Sequence, residues 1–200
     1  MKDMIKPVVI GNLCMIGTGL IGGSFCLALK QAGIVESIVG AGRSEETLQK
    51  AQTLNIIDTY DMDISNAVKD ADVIFVSVPL GAMQTVFEKI AAGLKQSGNT
   101  KAVITDAGSS KLQVQQLAEK IFADAACRFV AGHPIAGTEN SGPDAAFADL
   151  YKDRRVILTP TDETSAAAVK LVTVLWQATG ALVETMDAEH HDKVLAATSH

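Results

Sequence analysis

Short apolar runs alternate along this chain with longer stretches in which apolar residues recur every three or four positions. The runs at 13–16, 37–41, 73–78, 102–105, 129–131, 156–158 and 182–185 are too short for helices. Most lack a polar face, as expected of strands buried on both sides of a sheet. The stretches 20–31, 45–54, 82–94, 110–122 and 164–178 carry helical periodicity. In the third of these, Met83, Val86, Phe87, Ile90 and Leu94 fall on one face. Gly33 stops the first helix, and 56–59 reads as a short third strand. Asp187 is a suitable cap for a last helix running from 187 to 200. Strands alternating with helices predict an α/β fold of the Rossmann-type, doubly wound kind: a mostly parallel sheet with helices on both faces. On this reading 156–158 and 182–185 extend that sheet. Residues 137–152 form a long loop around Gly142-Pro143, placed to cover a site.

Composition narrows the class. The 200 residues are 48% hydrophobic and 20% charged, which suits a packed globular chain. Aromatic residues are only 4%, so Ala, Val, Ile and Leu must supply most of the core. A net charge of −6 argues against a nucleic-acid partner, because neutralising phosphates takes clustered Lys and Arg. No apolar run approaches the roughly 18 residues that span a bilayer, and Gly11 interrupts the apolar stretch that follows Lys2 and Lys6. A membrane partner and a signal peptide are therefore not expected. Cys14, Cys26 and Cys127 form no CxxC pair and read as buried structural thiols in a reducing compartment. The expectation is a cytoplasmic protein acting on a small molecule.

Gly17-Thr18-Gly19-Leu20-Ile21-Gly22 fits GxGxxG and falls between the first strand and the first helix, where a dinucleotide pyrophosphate binds. Gly17 permits the tight turn, Gly19 admits the phosphates to the backbone, and Gly22 lets helix and strand pack closely. The helix N-terminus adds unpaired N–H groups and the positive end of its dipole. After the second strand the chain reads Gly40-Ala41-Gly42-Arg43-Ser44, with no acid before Glu45 to bind a ribose 2′-hydroxyl. Arg43 and Ser44 are instead suited to a 2′-phosphate, so NADP is favoured and NAD remains possible.

Ligands bind at the carboxyl ends of the strands in such a sheet. Three loops meet that condition: Ser77 to Pro79, Asp106 to Lys111, and His133 to Glu139. Ser77, Pro79 and Asp106 accordingly join the cofactor-binding set. Histidine titrates nearest neutrality, and His133 stands apart from His190, His191 and His200, in a setting that reads as a loop of glycine, proline and polar residues. Ser109 or Ser110 reads as the cap of the following helix, with Ser109 also a candidate for the site. The nine-residue separation of His191 and His200 puts them on opposite sides of a helix, so no metal site is expected.

Residues 17–24 (GTGLIGGS), 106–111 (DAGSSK), 132–139 (GHPIAGTE) and 191–200 (HDKVLAATSH) together resemble the prephenate/arogenate (cyclohexadienyl) dehydrogenases. The resemblance covers essentially the whole chain. It implies NAD(P)-dependent oxidation of prephenate or arogenate with loss of the ring carboxylate as CO₂, a step of tyrosine biosynthesis giving 4-hydroxyphenylpyruvate or tyrosine. It implies His133 as proton acceptor and Ser109 as its hydrogen-bonding partner. Thr138 and Glu139 would lie at the rim of the substrate pocket and His200 near the nicotinamide and substrate, with a structural or interdomain role for His191-Asp192. Family members continue into a helical domain that dimerises and completes the substrate site, including an arginine for substrate carboxylates. Residues 1–186 thus read as the dinucleotide-binding domain and 187–200 as the start of a helix leading to that missing domain. A truncated chain of this kind is expected to bind NADP while turning over weakly or not at all, and to lack the family's homodimer contact. The alternatives are another Rossmann dehydrogenase of the β-hydroxyacid type, or a non-catalytic redox-sensing module.

Overall fold

The computed structural model describes residues 10–198. Six strands form a wholly parallel sheet: β1 (Ile10–Ile16), β2 (Val35–Ala41), β3 (Thr59–Asp61), β4 (Val73–Val76), β5 (Val103–Asp106) and β6 (Phe129–Val130). Their order is β3-β2-β1-β4-β5-β6, so the chain starts at the centre and winds outward in both directions. The crossovers are α1 (Leu20–Ala32), α2 (Glu45–Thr53), α3 (Ile64–Ala67), α4 (Leu80–Ser97) and α5 (Leu112–Phe122).

Strand β1 shows why both faces are covered. Side chains alternate across a strand, and both alternating sets are apolar here. Leu13 and Met15 join a core with Phe25, Leu29, Phe75 and Trp176. Cys14 and Ile16 join the opposite core with Phe87, Ile90, Ile104 and Val114. Each core has an aromatic knot. Phe25 lies 4.3 Å from Phe75 and 4.7 Å from Trp176 between ring centroids, and Phe87 lies 4.9 Å from Phe122. Burial pushes the Cys14 thiol up to about 12, whereas Cys127, expected inside, is exposed.

The principal departure from expectation is a second sheet. Residues 156–158 and 182–185 do not extend the parallel sheet. They belong to β8 (Arg155–Leu158) and β9 (Leu182–Thr185), which form a three-stranded sheet with β7 (Gly132–Pro134) in the order β7-β8-β9. Helix α6 (Ala166–Ala178) connects β8 to its parallel neighbour β9. The reason lies at Gly132. Its N–H donates to Asp106 Oδ1 at 3.1 Å and its carbonyl accepts from Lys111 Nζ at 2.7 Å. Side chains intercept the backbone groups that would continue the ladder, so β6 ends and β7 pairs antiparallel with β8.

Smaller differences follow from local chemistry. The third strand starts at Thr59 because Ile56 and Ile57 are buried in the core instead. Asp63 caps the four-residue α3, too short to show a period, by accepting from Ser65 N at 2.9 Å. The long loop is pinned to α1: Tyr151 Oη donates to Ile21 O at 2.5 Å, and Phe147 N donates to Ser24 Oγ at 3.0 Å. The last helix, α7 (Ala188–Thr198), is capped as expected, with His190 N donating to Asp187 Oδ1 at 2.8 Å. Among the described residues no helix is long and apolar enough to cross a membrane.

Candidate active site

The glycine motif joins the end of β1 to α1, and each glycine meets a different constraint. Gly17 has φ +93, and a Cβ there would lie 2.1 Å from the Ser77 carbonyl oxygen. A Cβ on Gly22 would lie 2.1 Å from Gly17 O and 2.7 Å from Met15 Sδ. The first glycine is thus required by the turn, and the last by helix–strand contact. Gly19 differs: nothing lies within 4 Å of its Cβ position. It occupies the N-cap of α1, whose first N–H groups receive no side-chain cap. Open space before uncapped N–H groups is what a pyrophosphate requires.

Gly17 and Gly19 open onto a cleft of about 460 Å³, lined also by Thr18, Arg43, Ser44, Ser77 and Pro79. Leu20 is buried and Ile21 half-buried beneath the motif. The Ser44 hydroxyl accepts from Thr47 N at 3.2 Å, so it caps α2. Arg43 is exposed and makes no ion pair among the described residues. Dinucleotide-holding groups are therefore present in a fitting shape: a glycine turn, a free helix end, and a cation where the second strand ends.

His133 is on a strand, not in the expected loop, and pairs with Ile157 across β7 and β8. It lines a second cleft, also at the carboxyl end of the sheet, together with Ser109, Ser110, Ile135, Asp192 and Leu195. His133 Nδ1 lies 3.0 Å from Nε2 of the fully buried His191. His191 Nδ1 in turn lies 2.7 Å from Asp192 Oδ1. His133 Nε2 has no hydrogen-bond partner among the described residues. Burial, the Lys111 cation and His191 lower the His133 pKa to about 4, against an opposing pull from Asp192. The ring is therefore neutral near pH 7 and able to accept a proton.

Asp192 has a second role. It accepts from Lys111 N at 2.8 Å, Leu112 N at 3.1 Å and Ser110 Oγ at 3.4 Å. The cap of α5 is thus this distant carboxylate, and neither Ser109 nor Ser110 makes the expected cap. Partial burial raises the Asp192 carboxyl, but these hydrogen bonds and His191 outweigh it and hold the group below its ordinary range.

Asp106, placed in the cofactor-binding set by the sequence, is fully buried and does not line the nucleotide cleft. Its Oδ2 accepts from Gly108 N at 2.7 Å and pairs with Lys111 Nζ at 2.6 Å, both side chains being fully buried. Burial lowers the Lys111 pKa while Asp106 resists that change. Ser109 is exposed and shares the histidine cleft without bonding to His133. Thr138 and Glu139 are exposed and do not line it. His200 lies outside the described residues. Lys111, His191 and Asp192 also meet His133 or its flanking backbone, although the sequence had placed none of them in the site and had given His191-Asp192 only a structural or interdomain role.

The family described as prephenate dehydrogenase, nucleotide-binding domain, matches residues 25–185. The cyclohexadienyl dehydrogenase of Zymomonas mobilis is 38% identical over 192 residues, covering 96% of this chain and 64% of that protein. A crystal structure of the Aquifex aeolicus prephenate dehydrogenase, in complex with hydroxyphenyl propionate and NAD+, is 35% identical with a TM-score of 0.86, covering 95% of this chain and 64% of its own. The Synechocystis arogenate dehydrogenase superposes with a TM-score of 0.85 at 27% identity, covering 94% and 64%. The chain thus spans somewhat under two thirds of these relatives. With the matched segment running from α1 through β9, the chain belongs to the prephenate dehydrogenase family and carries its nucleotide-binding domain.

Proposed function

We propose that this protein catalyses NAD(P)-dependent oxidative decarboxylation of prephenate or arogenate. The observation that carries the reading is the neutral His133, lining one cleft with Ser109 at the same end of the sheet as the open glycine turn. The family membership and the NAD+ bound to the Aquifex aeolicus relative support it. When bound, the dinucleotide supplies the hydride acceptor. Gly17, Thr18, Gly19, Ser77 and Pro79 hold it, with Arg43 and Ser44 disposed toward a 2′-phosphate, so NADP is preferred.

His133 Nε2 takes the substrate hydroxyl proton as hydride leaves the same carbon, and Ser109 holds that hydroxyl in line. The C–C bond to the ring carboxylate then breaks. Its electron pair aromatises the ring, CO₂ departs, and the oxygen recovers a proton to give the phenol. Ser109 and His133 face the substrate, while Thr138 and Glu139 contribute at the rim of its pocket. Residues 1–186 act as the dinucleotide domain, and α7 leads toward a helical region that completes the cleft and joins two subunits.

The test crosses prephenate and arogenate with NAD+ and NADP+, measured on the 200-residue chain and on the longest reading frame containing it. Formation of reduced cofactor with either substrate, lost in His133→Asn with dinucleotide affinity kept, is the expected result. Dinucleotide binding with no reduction by either substrate in the longer protein overturns it.

A further inference from the structure

We infer that His191 and Asp192 are positioning residues that set the tautomer of His133, leaving Nε2 as the bare nitrogen of a ring that lines the same cleft as Ser109. This inference rests on the proposed role of His133 as proton acceptor.

The assignment follows from counting protons along the contacts. A carboxylate only accepts hydrogen bonds. Asp192 Oδ1, 2.7 Å from His191 Nδ1, therefore requires the proton on that nitrogen. With His191 as a neutral imidazole, which carries one N–H, its Nε2 is left as an acceptor. At 3.0 Å from it, His133 Nδ1 must donate. The single proton of neutral His133 is then used, and Nε2 keeps its lone pair. Without this chain of bonds the ring is free to carry its proton on Nε2, where it cannot act as a base.

Both ends of the relay are anchored. Asp192 is held by N–H groups at the start of α5, Lys111 N and Leu112 N, two and three residues after Ser109. The residue before His133 is held through Gly132 O by Lys111 Nζ. One carboxylate on α7 thus sets the start of α5 and, through His191, the orientation of the His133 ring. Placement of α7 and readiness of the base are consequently linked. Among the described residues, the charged and titratable groups around the histidine pair are Lys111, with its partner Asp106, and Asp192.

Long-range proton–nitrogen correlation spectra of the histidine rings test the relay without substrate. In the native protein at pH 7, His133 is expected with Nδ1 protonated and Nε2 bare, and His191 with Nδ1 protonated. His191→Phe removes the acceptor and should move the His133 proton toward Nε2. In the longer protein kcat should drop roughly 10- to 100-fold at unchanged dinucleotide affinity, the scale seen when outer partners of a functional histidine are removed. His191→Gln, whose amide both accepts and donates, should restore the Nδ1–H form and part of kcat. Finding His133 protonated on Nε2, or His191 doubly protonated at pH 7, overturns the inference, and the native spectrum decides this even where a variant fails to fold. The expected tautomers without cyclohexadienyl turnover would sink only the proposed function. Turnover with the opposite tautomer would sink only the relay.

Discussion

Lys111 Nζ and Asp106 Oδ2 lie 2.6 Å apart with neither side chain exposed, at the point where the parallel sheet gives way to the second one. Such a pair contributes little net stability over an apolar replacement, but removing one member strands the other charge. Here Asp106 also holds Gly108 N and Gly132 N, and Lys111 holds Gly132 O. Lys111→Met is therefore expected to cost about 3–5 kcal/mol, read from denaturant unfolding. A loss below 1 kcal/mol would mean that the pair does not hold β7 in place.

Removing the Lys111 cation should also change the acidity of His133. In the native protein burial and Lys111 hold that ring at about 4, compared with roughly 6.5 for an unfolded histidine. Between those values the unfolded chain binds a proton that the native state does not. This group's contribution to stability is therefore intact above about pH 6.5, falls as pH drops toward 4, and changes no further below. A histidine-resolved NMR titration should find His133 neutral at pH 5.5 in the native protein and titrating higher in Lys111→Met. Equal titration curves in the two proteins would remove Lys111 from the electrostatics of the site.

What was legible in the sequence was whatever depends on neighbours a few residues away. The alternation of Leu13 and Met15 with Cys14 and Ile16 announces a doubly covered strand, and the glycine spacing announces the turn that Gly17 and Gly22 make. The second sheet was not legible. It depends on Asp106 and Lys111 reaching Gly132 from 26 and 21 residues away. The cap of α5 was hidden for the same reason. Ser109 and Ser110 have the right chemistry in the right place, but the cap arrives from Asp192, 81 residues past Lys111. His133 could be picked out as a candidate base, whereas the partners of its ring were visible only once α7 was packed against α5.

The three motif glycines should separate stability from binding. Gly17→Ala and Gly22→Ala force a Cβ against backbone oxygen, so both should destabilise the fold. The space at Gly19 is open, so Gly19→Ala should leave the thermal midpoint within a few degrees of native. That same methyl occupies the approach of the pyrophosphate, and dinucleotide affinity should fall at least about tenfold, roughly 1.4 kcal/mol. Calorimetric titration beside a melting curve gives both numbers. Native affinity in Gly19→Ala would place the phosphates elsewhere.

Arg43 is the residue proposed to select between the two dinucleotides. It stands exposed at the rim of the glycine cleft, without a carboxylate partner among the described residues, beside Ser44, whose hydroxyl oxygen caps α2 while its O–H remains a donor. A guanidinium free of internal pairing can engage a 2′-phosphate in two hydrogen bonds, and a ribose hydroxyl offers it far less. Arg43→Ala should therefore weaken NADP+ by about 1.5–3 kcal/mol, the range for hydrogen bonds to charged groups, and change NAD+ affinity little. Because the contact is charge-assisted and exposed, the gap between the two cofactors should also narrow as ionic strength rises. Equal losses for both cofactors would show Arg43 packing against a shared part of the dinucleotide. An unchanged NADP+ affinity would take it out of cofactor selection altogether.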